Sequence, residues 1–183
     1  MNVFITFLDL LGVKHTDTFS DQYFNEHPNK YNLFGLSKML SDYGVNSAAI
    51  QIPDKENDIT EIETPFIAQF GGDFVAVSKV DSEKVSFIWN GANHELPAKK
   101  FSGSWTGVVL LAETTEQSIE PDYKEHRKAE IISLSKRIAL FSVCGIIMVY
   151  AYIYNLYYTN AGIHARREAR RPYFRRALPA RFP

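Results

Sequence analysis

The chain has 183 residues and a formal net charge of −1, with 45% hydrophobic, 14% aromatic and 22% charged residues. That length favours one domain plus appendages, and the near-neutral balance supplies no global field drawing the chain to nucleic acid or anionic lipid. A single cysteine, Cys144, excludes an internal disulfide framework and any multi-cysteine metal site.

Val3–Leu11 carries apolar residues at 3, 4, 5, 7, 8, 10 and 11, which predicts a helix buried on most sides. The same stretch has no basic n-region and is interrupted by Asp9, so it does not read as a cleavable signal peptide. Thr18 or Ser20 is placed to cap a short second helix, Asp21–Glu26, that ends before His27-Pro28. Tyr31–Tyr43 is the clearest amphipathic helix. Leu33, Leu36, Met39, Leu40 and Tyr43 recur at helical spacing, and Gly44 follows as a terminator.

The period then changes. Ser47–Ile52 reads as a strand, Pro53–Glu63 as a polar connection and Pro65–Phe70 as a short apolar strand. Gly71-Gly72 predicts a turn, Phe74–Val80 alternates, Asp81–Glu83 turns again and Val85–Trp89 returns, with a further turn at Asn90-Gly91. Pro97–Phe101 reads as a helical turn and Gly107–Ala112 as a last buried strand. Three helices followed by an antiparallel sheet make an α+β domain over residues 1–115. Residues 116–137 read as a charged helical linker.

From Ile138 to Ile163 there is no charged residue. A bilayer core of ~30 Å needs about 20 helical residues, and 138–158 supplies a transmembrane helix. Lys136 and Arg137 close one end, and Tyr150, Tyr152, Tyr154, Tyr157 and Tyr158 crowd the other as interfacial aromatics do. Cys144 lies within this span, where an apolar setting disfavours the thiolate. The tail, 159–183, holds seven of the nine arginines and no lysine. It reads either as a polybasic segment that binds anionic lipid or as the product of a shifted or truncated reading frame. With the tail set aside, the basic flank Lys124–Arg137 and the missing signal peptide place the soluble domain in the cytoplasm, on a single-pass membrane protein.

Four segments form a familiar set: Tyr31-Asn-Leu-Phe-Gly-Leu-Ser-Lys-Met-Leu-Ser-Asp-Tyr-Gly44, Thr64-Pro-Phe-Ile-Ala-Gln-Phe70, Asp73-Phe-Val-Ala-Val77 and Trp105-Thr-Gly-Val-Val109. Together they resemble the bacterial cysteine peptidase family 39 domain, a papain-like fold known at the front of bacteriocin exporters. There it cleaves leader peptides after a double glycine. The chain is more closely similar to the degenerate version fused to vitamin K epoxide reductase-like membrane proteins in Bacteroidetes. That version shares the His27-Pro28 element, the Gly71-Gly72 turn and the ending at Trp105–Glu113. The resemblance implies a nucleophilic cysteine at the start of the first helix, where this sequence has Met1-Asn-Val-Phe-Ile. It implies a histidine before Phe74-Val75, where Asp73 stands, and an aspartate at the end of the next strand, where Asn90 stands. No catalytic residue is therefore expected.

The residue chemistry agrees. Nucleophilic catalysis needs a nucleophile, a base within hydrogen-bond reach and an orienting group. Ser37, Ser41, Ser78 and Ser86 have no base beside them in sequence. His15, His27, His94, His126 and His164 lack metal-ligand spacing and read as turn or surface residues. Asp54–Glu63 lacks the glycine and spacing of a calcium loop. No metal or cofactor is expected.

Asp73, Trp89, Asn90 and Trp105 are the candidate peptide-binding residues by the resemblance, with Trp105 as core and Asn90-Gly91 as a plain turn the competing readings. The first functional reading is an inactive, membrane-anchored module that binds a peptide or protein partner by strand addition in its cleft. The second is the N-terminal fragment of a disulfide-forming membrane oxidoreductase, whose paired cysteines this chain does not supply. The third is an active leader peptidase linked to peptide export.

Overall fold

The computed structural model describes residues 2–176, with side chains as far as Thr159. It divides into two units, Met1–Glu130 and Ile131–Pro183. The first is the α+β domain.

Helix α1 (Val3–Leu11) forms where the apolar pattern predicts it. Asn2 caps it, its side-chain oxygen accepting the Ile5 N–H at 2.9 Å, and Gly12 at φ 68° ends it in the left-handed region. Helix α2 (Asp17–Glu26) begins four residues earlier than the expected Asp21, after Thr16. The early start has a tertiary cause, because the Thr16 N–H and hydroxyl are both held by a carboxylate at Glu120. Helix α3 (Leu33–Asp42) is capped by Asn32, whose side chain accepts the Gly35 N–H at 2.7 Å.

The strands are β1 (Asn46–Gln51), β2 (Phe66–Phe70), β3 (Asp73–Val80), β4 (Lys84–Trp89), β5 (Ala92–Pro97) and β6 (Trp105–Glu113), with α4 (Ala98–Ser104) before β6. They form one antiparallel sheet in the order β1-β6-β2-β3-β4-β5. Strand β5 was not expected; its six residues pair with β4 from Lys84↔Pro97 to Trp89↔Ala92. The connection Pro53–Glu63 contains a 3₁₀ turn, Asp58–Glu61, that buries Ile59. Two-residue turns join β2 to β3 and β4 to β5. Gly71 and Gly72 have φ of 60° and 88°, and Asn90 and Gly91 have 51° and 78°. Positive φ at both positions matches the right-handed twist of the flanking strands.

The sheet is covered on both faces. Phe4, Phe7, Leu8, Leu36, Met39, Leu40 and Tyr43 from the helices pack on Ile67, Ala76 and Leu110. On the other face Phe66, Phe70, Val75, Val77, Phe87 and Val109 gather with Phe101 of α4, Trp105 and Ile59. Fully burying one such side chain stabilises the fold by about 1.5–3 kcal/mol. The segment after β6 closes over the helical face. Ser118 Oγ donates to Gly44 O at 2.7 Å, Ile119 N–H to Tyr43 O at 3.0 Å and Glu120 N–H to Lys14 O at 2.9 Å.

Helix α5 runs from Tyr123 to Arg176. Between Tyr123 and Thr159 it is long and apolar enough to cross a membrane, with a mean hydropathy of 1.8 and none of its apolar window buried. Phe141 and Met148 are each 74% exposed, as expected of side chains that face lipid. The side chains of the Arg-rich tail and of His164 lie outside the described residues, as does the whole of 177–183.

Candidate functional site

A cleft of ≈ 170 Å³ opens where the start of α1, the turn before α3 and the ends of β3 and β4 converge; Asn2, Thr6, Lys30, Tyr31, Asp73 and Asn90 line it. Most of its polar groups are already engaged. The Asn2 amide donates to Asp21 Oδ1 at 3.0 Å, and the Thr6 hydroxyl donates to Asn2 O at 2.9 Å. Lys30 Nζ donates to Asn25 O at 2.6 Å and sits 5.2 Å from the centre of the exposed Tyr31 ring.

Asp73 opens β3 and is exposed. Its Oδ2 accepts the Trp89 indole N–H at 2.9 Å, and its Oδ1 accepts the Phe74 N–H at 2.8 Å. Trp89 is half-buried, edge-on to Phe70 at 6.1 Å. Asn90 occupies the first turn position, exposed, and its side chain makes no hydrogen bond among the described residues. Asp73 and Asn90 therefore share the cleft, while Trp89 packs against the core on the other sheet face and reaches Asp73 through its indole N–H alone. Trp105 does not join them. It is 1% exposed in the same core that Trp89 packs against, with its indole N–H bonded to Val108 O at 3.1 Å.

Among the described residues, the cleft lining contains no cysteine, serine or histidine. Its one aliphatic hydroxyl, Thr6, is turned into the helix backbone. Among the described residues of the lining, no nucleophile is hydrogen-bonded to a base. The wall offers amides, the Asp73 carboxylate, one ammonium group and aromatic surface. Sequence reasoning missed Asn2, Lys30 and Tyr31 as lining residues. Tyr31 is 77% exposed at the mouth of the cleft, beside an α3 core face complete with Leu36, Met39 and Leu40.

A second polar cluster surrounds Glu120, whose side chain is fully buried. Its carboxylate accepts from the Thr16 N–H and hydroxyl, from the Ser20 hydroxyl at 3.2 Å and from His126 Nδ1 at 2.8 Å. The Ser20 and Tyr43 hydroxyls are 2.9 Å apart. Burial pushes the Tyr43 hydroxyl up to about 12; the Ser20 hydrogen bond opposes this and the Glu120 charge adds to it. Burial also raises Tyr23, helped by its 2.6 Å bond to Asp42.

The expectation that every histidine is a turn or surface residue fails at His15 and His126. The His15 side chain is only 6% exposed, between Asp9 and Asp17, and the His126 ring stacks on Phe19 at 3.9 Å. Neither has metal-ligand company, since no group of three metal-binding side chains occurs among the described residues.

A family model described as "Peptidase C39 family" matches residues 17–117. Among curated proteins, none matches the chain. Of solved structures, the peptidase domain of ComA from Streptococcus, a bi-functional ABC transporter involved in quorum sensing, is 12% identical. It covers 62% of this chain and 88% of its own, with a TM-score of 0.51. A double glycine motif protease from an AMS/PCAT transporter, solved with its leader peptide, is 17% identical over 52% of this chain and 71% of its own, TM-score 0.46. The N-terminal peptidase C39 like domain of a toxin secretion ATP-binding protein from Vibrio parahaemolyticus is 14% identical, covering 63% and 98%, TM-score 0.48.

Proposed function

The chain belongs to the peptidase C39 family, and from that premise we propose that its domain acts without catalysis, as a membrane-tethered module binding a peptide or protein partner. The observation that carries this reading is the cleft lining, in which Asp73 and Asn90 stand where the family resemblance expects a histidine and an aspartate. The one cysteine of the sequence, Cys144, lies in α5 beyond the matched residues. Asp73 and Asn90 contact the ligand in the cleft, Trp89 holds Asp73 through its indole N–H, and Trp105 lies in the core beneath Trp89. Helix α5 crosses the membrane over 138–158, with the domain on the cytoplasmic side.

Titrating the detergent-solubilised chain with extended peptides, while following tryptophan emission, tests this reading. It expects saturable binding with an emission shift that disappears in Trp89→Phe. Turnover of the peptide, or the same shift in Trp89→Phe, contradicts it.

A second reading draws on the apolar helix that directly follows the domain. The chain is then the front end of a vitamin K epoxide reductase-like membrane oxidoreductase, with the redox cysteines supplied by later segments. Genomic sequence beyond codon 160 decides between them. Further hydrophobic spans with a Cys-x-x-Cys motif in another frame favour this second reading, and their absence favours the first.

A further inference from the structure

A larger concavity of ≈ 630 Å³ lies where β1 begins, β6 ends and β2 begins, and it shares no residue with the cleft. Leu11, Pro65, Leu111 and Ala112 give it a half-buried apolar lining, and Glu63 and Glu113 stand in it exposed. No lysine, arginine or histidine lines it, and neither carboxylate enters an ion pair among the described residues. Two carboxylates beside apolar surface with no local counter-charge make a site electrostatically complementary to a cation.

The backbone adds a second feature. Strand β1 is the outermost strand at this end and pairs only with β6. No other backbone hydrogen bond reaches Asn46–Gln51 among the described residues, so alternate N–H and C=O groups along its outer side are unpaired. Asn46, Ser47 and Ala48 of that strand form part of the concavity. Edges of this kind accept an added strand.

We infer that this concavity docks an extended basic segment of a partner protein. The segment pairs with the outer side of β1 and sets Lys or Arg against Glu113, which stands opposite Asn46 on β6, with Leu111 and Glu63 further into the concavity. The site does not depend on the peptide cleft, so its failure leaves the cleft reading intact.

The test is fluorescence anisotropy of a labelled synthetic peptide alternating lysine and valine, added to the full chain in zwitterionic detergent. Binding is expected at ~0.1 M salt, where charges act over ~10 Å, and is expected to fall at ~1 M, where the range shrinks to ~3 Å. The doubly substituted Glu63→Gln, Glu113→Gln chain is expected to bind ~2- to 30-fold more weakly, the range that the loss of two exposed charge pairs gives. Both substitutions are isosteric at exposed positions, so the fold is retained, and circular dichroism checks this. Absence of binding at low salt, equal binding by the doubly substituted chain, or equal binding of a glutamate–valine peptide overturns the proposal.

Discussion

Glu120 and His126 meet at 2.8 Å, carboxylate to ring nitrogen, with the carboxylate fully buried and the ring stacked on Phe19. The pair joins the first turns of α5 to the start of α2 through Thr16 and Ser20. A buried carboxylate survives because every donor aimed at it is met. Removing it strands those donors at about 1–3 kcal/mol each. Glu120→Ala is expected to lose at least ~3 kcal/mol of stability. Glu120→Gln loses less, because its amide oxygen still accepts. Urea unfolding of the two variants, followed by near-UV circular dichroism, checks the order.

Tyr43 gives the same cluster an alkaline signature. Its hydroxyl is raised from 10.0 to about 12, so the folded protein holds that proton after the unfolded chain has released it. The stabilisation is whole below pH 10 and is lost as pH climbs from 10 to about 12. A rise of that size corresponds to about 2–3 kcal/mol. Tyr43→Phe is expected to flatten this part of the stability–pH curve and to remove one late tyrosinate step. Ultraviolet titration of tyrosinate, wild type against Tyr43→Phe, measures it.

Sequence pattern alone went far with the fold, and its failures share one cause. Helices α1 and α3 are legible because their apolar faces repeat at helical spacing, and the turns at Gly71-Gly72 and Asn90-Gly91 because those residues accept positive φ. The start of α2 was missed because its capping partner, Glu120, is 104 residues away from Thr16. Strand β5 was missed because Ala92–Pro97 is mostly exposed and lacks alternation; its pairing with β4 makes it a strand. At the site, Asp73 and Asn90 were legible through family likeness. Asn2, Lys30 and Tyr31 were not, since only the folded chain sets a helix cap and an inter-helix turn beside two strand ends.

Gly35 is the tightest point of α3. A β-carbon there would run into the Asn29 carbonyl and side chain, and backbone cannot yield as a flexible side chain does. Gly35→Ala is expected to destabilise the domain by about 1–3 kcal/mol, the usual cost of overpacking, despite alanine's better helix propensity. The thermal midpoint of the variant, lowered against wild type, reads it.

Cys144 reports on the span. In a helix crossing over 138–158 its thiol faces hydrocarbon, where the thiolate is disfavoured. In intact proteoliposomes a charged, impermeant maleimide is expected to leave Cys144 unlabelled. Labelling is expected to become complete once sodium dodecyl sulfate unfolds the chain. Rapid labelling by the charged reagent before unfolding would place the helix outside the bilayer.

The central claim, a peptidase fold working without peptidase chemistry, is met most directly by incubating the full chain in detergent with double-glycine leader peptides. Mass spectrometry of the products then reads the outcome. The peptides are expected to remain intact, with the same mass profile for wild type and Asp73→Ala. Cleavage after the double glycine by wild type, abolished in Asp73→Ala, would contradict it.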